Sequence, residues 1–337
     1  MNARMLLFLS LAAALLPAAD MKILKKFHIG GPVGGWDYLT LDESARRVYI
    51  SHATQVEVLD LDTGKAIGSI LDTPGVHGIA LVPKAKHGFT TNGRENKLSM
   101  FDLATLKTIK KIDVGKEPDG IYYDAVTNRI FTNNHGSHDS TVLDATTGEV
   151  VGTLALAGDG EQHAPGKNGL IWVASEDTAE IVAFDPKAMK VVKRVAIASA
   201  KTPTGMTYDA KTDRIFVACR ENPLLIVIDA TSGKEVAKFP IGTGADWAEF
   251  DSVTKRIFVS TGEGILNVFQ QKSADSYEVV AAFKTQQSAR TMALEHKTGL
   301  LYLPAADFTT TPPSDPSKKG TRKQTPESFN VLVVNGR

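Results

Sequence analysis

Asp37, His77 and Asp119 are two carboxylates and an imidazole, a donor set able to hold one divalent cation. Oxygen donors favour calcium or magnesium, and the added histidine favours zinc or manganese. Such an ion polarises a carbonyl and activates water. His163 is the acid/base candidate, with Arg290 and Asp246 beside it as catalytic candidates, the arginine to stabilise developing negative charge. Trp36 and Trp247 flank Asp37 and Asp246 and would give the carboxylates an apolar wall. His52, Asn134, His135 and Glu161 complete the ligand-binding candidates. The run His135-Gly136-Ser137-His138-Asp139 is the densest group of possible donors, although a polar loop explains it equally well. No glycine-rich phosphate loop, nucleophile elbow or zincin helix is present.

Each residue also has a plainer reading. An aspartate opening a strand can bond the amides of its own turn, a lone histidine can be an ordinary hydrogen-bonding residue, and both tryptophans can be packing. Cys219 follows Arg214-Ile215-Phe216-Val217-Ala218, a place for a small buried side chain. Position is what sets the candidates apart. They occupy equivalent places in successive repeats, yet their chemistry changes from one to the next.

The repeat shows first as strand ends: Val58-Leu59-Asp60, Met100-Phe101-Asp102, Val142-Leu143-Asp144, Ala183-Phe184-Asp185 and Val227-Ile228-Asp229. Val268-Phe269-Gln270 is a sixth copy with Gln for Asp. Three copies run into Thr63-Gly64, Thr147-Gly148 and Ser232-Gly233, where glycine supplies a hairpin's positive φ. Upstream, Arg47-Val48-Tyr49-Ile50, Arg129-Ile130-Phe131-Thr132, Arg214-Ile215-Phe216-Val217 and Arg256-Ile257-Phe258-Val259 form a second signature. Weaker versions surround Phe89, Trp172 and Tyr302. The recurrent aspartates read as turn residues and the recurrent arginines as blade-to-blade ties. Four short strands in about 40–45 residues is the β-propeller period. Units begin near Asp37, His77, Asp119, Glu161, Thr204, Asp246 and Arg290. The predicted fold is therefore all-β: a seven-bladed β-propeller with four-stranded blades. Lys22 to Ile29 would supply the missing outer strand of the last blade and close the ring. In this topology the mouth gathers the loops that carry the candidates above.

The Arg-Ile-Phe-Val and Val-Ile-Asp-x-x-Thr-Gly patterns resemble those of the YncE-like, YVTN-repeat seven-bladed propellers. The resemblance covers essentially the whole mature chain. Asn92 and Asn134 match the family's asparagine after strand two, whereas His52, Cys219 and Thr261 depart from it. It implies the fold, and a functionally mixed family in which some similar propellers are lactonases or lyases that use a metal on one face. Fold likeness alone does not assign a function.

The 337 residues carry 38 Lys+Arg against 38 Asp+Glu, so electrostatic capture of nucleic acid is not expected. One cysteine excludes an intrachain disulfide framework and any multi-thiolate metal site. Residues 1–19 read as a secretory signal, with Arg4, an apolar run from Met5 to Leu16, and small residues before Asp20. Residues 20–337 are then a single periplasmic or secreted domain with no transmembrane span after processing, expected to be monomeric. Residues 306–327 make a long polar loop in the last blade, rich in proline, threonine, lysine and arginine. That loop is either a solvated insertion or a lid over the mouth. Two functions fit. One is a metal-assisted hydrolase or lyase acting on a lactone, ester or glycoside-like substrate. The other is a non-catalytic extracytoplasmic binding or scaffolding propeller using the same mouth for its ligand.

Overall fold

The computed structural model describes residues 21–311 and 321–337. Residues 1–19, read from the sequence as a secretory signal, lie outside the described residues, as does the centre of the late insert. Among the described residues, seven four-stranded antiparallel sheets and one two-stranded ribbon are formed. The innermost strands of blades 1 to 7 are Leu39–Asp42, Val76–Val82, Pro118–Asp124, Gly160–Pro165, Lys201–Asp209, Ala245–Asp251 and Ala293–Glu295. In blade 7 the order continues through Leu300–Ala305 and Asn330–Asn335 to Ile23–His28, so the amino-terminal strand closes the ring. Its register pairs Lys26 with Leu332 and Phe27 with Val331. Phe27 is 5% exposed and packs into the core beside Tyr302. Closure leaves no unpaired seam inviting association.

The repeated residues act as the spacing predicts. Asp60 accepts hydrogen bonds from the backbone N–H groups of Asp62 and Thr63, Asp102 from Ala104 and Thr105, and Asp144 from Thr146 and Thr147. Asp185 does the same for Lys187 and Ala188, and Asp229 bonds Ser232. These are Asx-type turns that fix the hairpin between strands three and four. The register of that hairpin shifts just before the turn, at Val58/Leu59, Met100/Phe101, Val142/Leu143 and Ala183/Phe184. Each repeated arginine reaches a carbonyl of the following blade: Arg47 to Leu103, Arg129 to Pro186, Arg214 to Ala274 and Arg256 to Gly336. The aromatics two residues beyond, Tyr49, Phe131, Phe216 and Phe258, are fully buried, with Phe89, Trp172 and Tyr302 in the equivalent places. Each such burial is worth about 1.5–3 kcal/mol, so the blade faces supply the stability. Cys219 is fully buried in this packing, and burial pushes its thiol up to about 12.

The insert in blade 7 differs from the expected loop. Phe308–Thr311 and Thr321–Gln324 pair as an antiparallel ribbon, with Phe308 opposite Gln324. Threonine-rich sequence is a good strand former. Arg322 lies over the Phe308 ring at 3.8 Å, and Phe308 faces Trp36 at 6.0 Å. Gln324 accepts a hydrogen bond from the Gly34 backbone, which ties the ribbon to the stretch leading into blade 1.

Candidate functional site at the channel mouth

The inner strands are irregular at one level. Their pairing with strand two breaks between Val76 and Ile79, Pro118 and Ile121, Gly160 and His163, Pro203 and Gly205, and Ala245 and Trp247. Those breaks contain His77, Asp119, Glu161, Thr204 and Asp246. A bulge bends a strand and re-aims a side chain, which is how one residue per blade is presented at the axis. Gly205 follows Thr204 because a Cβ there would stand 2.5 Å from the Trp247 backbone of the next blade. The bulged backbones are fastened across blades: Thr91 donates to the Asp119 carbonyl, Asn133 to Glu161, and Ser260 to Arg290.

Side chains from all seven blades then form one polar ring. His77 Nδ1 lies 2.8 Å from Asp37 Oδ2 and 3.6 Å from Asp119 Oδ2. Asp37 Oδ1 faces Arg290 at 3.3 Å, and Arg290 reaches Asp246 at 3.0 Å. Arg220 pairs with the other Asp246 oxygen and, at 2.9 Å, with Glu176. Glu176 also faces Glu161, whose Oε2 accepts the Tyr38 hydroxyl at 2.8 Å. Five carboxyl groups (Asp37, Asp119, Glu161, Glu176 and Asp246) thus meet three cationic groups (His77, Arg220 and Arg290), an excess of two negative charges if all were ionised.

The titration behaviour follows from this imbalance. Burial lowers His77, but its bond to Asp37 and the charges of Asp119 and Asp37 outweigh that and raise it to about 9. Burial would raise Asp37, yet Arg290 and His77 hold its carboxyl below the usual range. Burial raises Asp119 more than the adjacent His77 lowers it. Glu161 is lifted well above the ordinary range by burial, then by the charge of Asp119 and by the facing Glu176. The shifts of Asp119 and Glu161 both act against full ionisation of the ring.

Above the ring lies an open cavity of about 830 Å³, lined by Trp36, Asp37, His77, Asp119, His135 and Arg290 among others. Arg94 and Glu117, of opposite sign, also line it. The three predicted metal ligands meet here: one donor atom from each of Asp37, His77 and Asp119 lies within 4.8 Å of the others. Asp119 Oδ1 is buried without a hydrogen-bond partner among the described residues. His135 stands behind, with Nδ1 3.9 Å from Asp119 and Nε2 2.9 Å from the Gly160 carbonyl.

Other candidates fall elsewhere. His52 is fully buried, stacked on Phe329 at 4.0 Å, and Asn134 is turned into its blade to bond Asp139 and Thr141. Both end strands at the mouth level but face inward, so neither can reach a ligand in the mouth. His163 and Trp247 line a second, lower cavity, and Trp247 donates to Glu249. An acid/base role for His163 beside the Asp37 group is therefore not supported. Asp246 has both oxygens engaged by guanidinium groups, which makes it the anchor of Arg290 rather than a free base. His138 joins Asp159 and Asp177 in a separate exposed cluster. Arg220 and Glu176 stand at the ends of second strands, the level of His52 and Asn134, and their charge was the available signal. Tyr38 had none, since it belongs to no repeated pattern.

Comparison with known proteins agrees with this architecture. The sequence model for the YNCE-like beta-propeller matches residues 77–293. No curated protein matches the chain. Among solved structures, a chain of Kuenenia stuttgartiensis hydrazine synthase superposes with a TM-score of 0.70 at 16% identity, covering 88% of this chain and 97% of that one. At that identity the likeness is one of fold.

Proposed function

From the premise that this chain belongs to the YNCE-like β-propeller family, we propose that it is a small-molecule-binding propeller whose mouth holds one divalent cation on Asp37, His77 and Asp119. The observation carrying this reading is the convergence of those three donors at the floor of the 830 Å³ cavity. The donor chemistry fits. Two carboxylates and an imidazole suit manganese or zinc better than an all-oxygen ion, Asp119 Oδ1 lacks a partner among the described residues, and carboxyl groups outnumber cationic groups around the ring. A bound divalent ion supplies a Lewis acid for a ligand oxygen and lowers the pKa of water. Arg290, fixed by Asp37 and Asp246, offers a positive group at the same rim for an anionic part of the ligand. Trp36 forms the apolar side of the cavity.

This arrangement suits a lactone, ester or similar carbonyl compound, with hydrolase or lyase chemistry as the catalytic form of the proposal. The engagement of both Asp246 oxygens by Arg220 and Arg290 leaves no free carboxylate base there and favours the other form, a propeller that binds such a ligand without turning it over. The amino-terminal apolar run makes the proposed location extracytoplasmic. Calorimetric titration of chelator-treated protein with manganese, zinc, calcium and magnesium tests the cation, and a panel of lactones and nitrophenyl esters tests turnover. Failure of all four ions to bind at millimolar concentration overturns the metal reading; binding without turnover selects the non-catalytic form.

A further inference from the structure

The channel beneath the mouth is a second cavity, of about 270 Å³. It lies one residue further along the same inner strands: Asp37, His77 and Asp119 line the mouth, while Tyr38, Gly78 and Gly120 line the channel. Its chemistry is different. Trp247 packs on Tyr38 at 5.1 Å, and His163 stacks on Tyr122 at 5.3 Å. Among the described residues no lysine, arginine or aspartate lines it, and the one acidic group there, Glu161, already accepts the Tyr38 hydroxyl.

His163 is the unexplained group. Its Nε2 is buried with no hydrogen-bond partner among the described residues, a costly arrangement unless something else bonds it. Burial depresses its pKa to about 3, so the ring is neutral and offers one donor and one acceptor. A charged guest would lose its hydration to walls that cannot replace it. A flat, uncharged ring would lose little and gain contact with aromatic faces.

We propose that the channel binds an uncharged aromatic small molecule against Tyr122 and Trp247, with its single polar group on the His163 imidazole. The proposal is independent of any cation at the mouth. It is tested with metal-free full-length protein titrated with benzamide, benzoate, benzylamine and toluene, read by calorimetry and by the Trp247 indole N–H resonance. Benzamide should bind at least tenfold tighter than benzoate or benzylamine and shift Trp247 but not Trp172. His163→Phe should weaken benzamide about tenfold while sparing toluene, and His163→Gln should restore part of the loss. Leu81→Trp, which fills the cavity, should abolish binding of both. Equal affinity for the charged and neutral probes, or an unchanged Trp247 resonance at saturating benzamide, overturns the proposal, and so does benzamide binding that His163→Phe does not change. Cation titrations of the same protein decide the mouth separately, so either reading can fail alone.

Discussion

His77 Nδ1 and Asp37 Oδ2 lie 2.8 Å apart across the seam between blades 2 and 1. The pair is half sheltered, with 37% of the His77 side chain exposed against 11% for Asp37. It links a contact between blades to a titration.

That linkage sets a pH dependence. His77 titrates near 9 when folded against an ordinary 6.5, so the folded protein holds an extra proton between those values. Its stabilisation is complete below 6.5 and is lost as pH rises through 9. The amount is about 1 kcal/mol once solvent screening of so exposed a side chain is allowed for. Urea denaturation of the metal-free wild type and His77→Gln should show a stability gap at pH 6 that closes by pH 10. A gap constant over this range would remove the ion pair as its cause.

The same proton predicts how a cation binds. A metal ligand must be neutral imidazole, so manganese or zinc binding at pH 7 should release about one proton from His77. Calorimetry in buffers of different ionisation enthalpy measures that release. Asp119→Asn and His77→Ala should each weaken binding at least about tenfold, the usual scale for losing a ligand or its support. Binding with no buffer dependence would place the ion somewhere else.

The fold was legible because repetition exposes it. Asp60, Asp102 and Asp144 turn hairpins, and Arg47, Arg129 and Arg256 tie blades, so their spacing was enough to count seven units. The mouth was legible in part, through residues that break the repetition: Asp37, His77 and Asp119 do converge. Side-chain direction at strand ends was not legible. His52 and Asn134 sit at the right height and point into their blades, because burial against Phe329 or the bonds to Asp139 and Thr141 decide orientation there. The inner-strand bulges depend on pairing with strand two, a tertiary property without a local motif. The ribbon was hidden because its strands are four residues each, separated by a proline-rich stretch.

The arginine ties can be separated from the site. Arg129 Nη1 donates to the carbonyls of Pro186, at 2.6 Å, and Lys187, at 3.0 Å. Arg129→Met would leave those acceptors without their donor, costing about 1–3 kcal/mol. Cation affinity at the mouth should stay at the wild-type value. A variant that loses affinity but keeps its denaturation midpoint would reverse this assignment.

Ring closure gives a larger effect. Phe27 is 5% exposed, pairs with Val331 and packs beside Tyr302 at 6.4 Å. Phe27→Ala should cost about 3–5 kcal/mol, the range for removing a buried phenylalanine. Deleting residues 21–28 should go further, leaving Asn330–Asn335 as an open edge and producing aggregation visible by light scattering. A truncated protein that melts unchanged and stays monodisperse would rule out closure by this strand.

The ribbon's role can be isolated at its base. Phe308 meets Trp36 at 6.0 Å, Trp36 also packs on Phe329 at 5.1 Å, and Gln324 holds the Gly34 backbone. Gly34 and Trp36 both line the mouth cavity, so the ribbon braces its apolar wall without contributing a charged group of the ring. Phe308→Ser removes an aromatic pair, worth about 1 kcal/mol. The Trp36 indole N–H is buried and lacks a partner among the described residues, and should exchange with solvent faster once the brace is gone. Cation affinity should be nearly unchanged, because Asp37, His77 and Asp119 are positioned by the inner-strand ends and their bulges. Faster Trp36 exchange with intact cation binding is therefore the expected pattern. If Phe308→Ser instead weakens the cation as much as Asp119→Asn does, the ribbon helps to place the ligands themselves, and the separation of wall from ring is wrong.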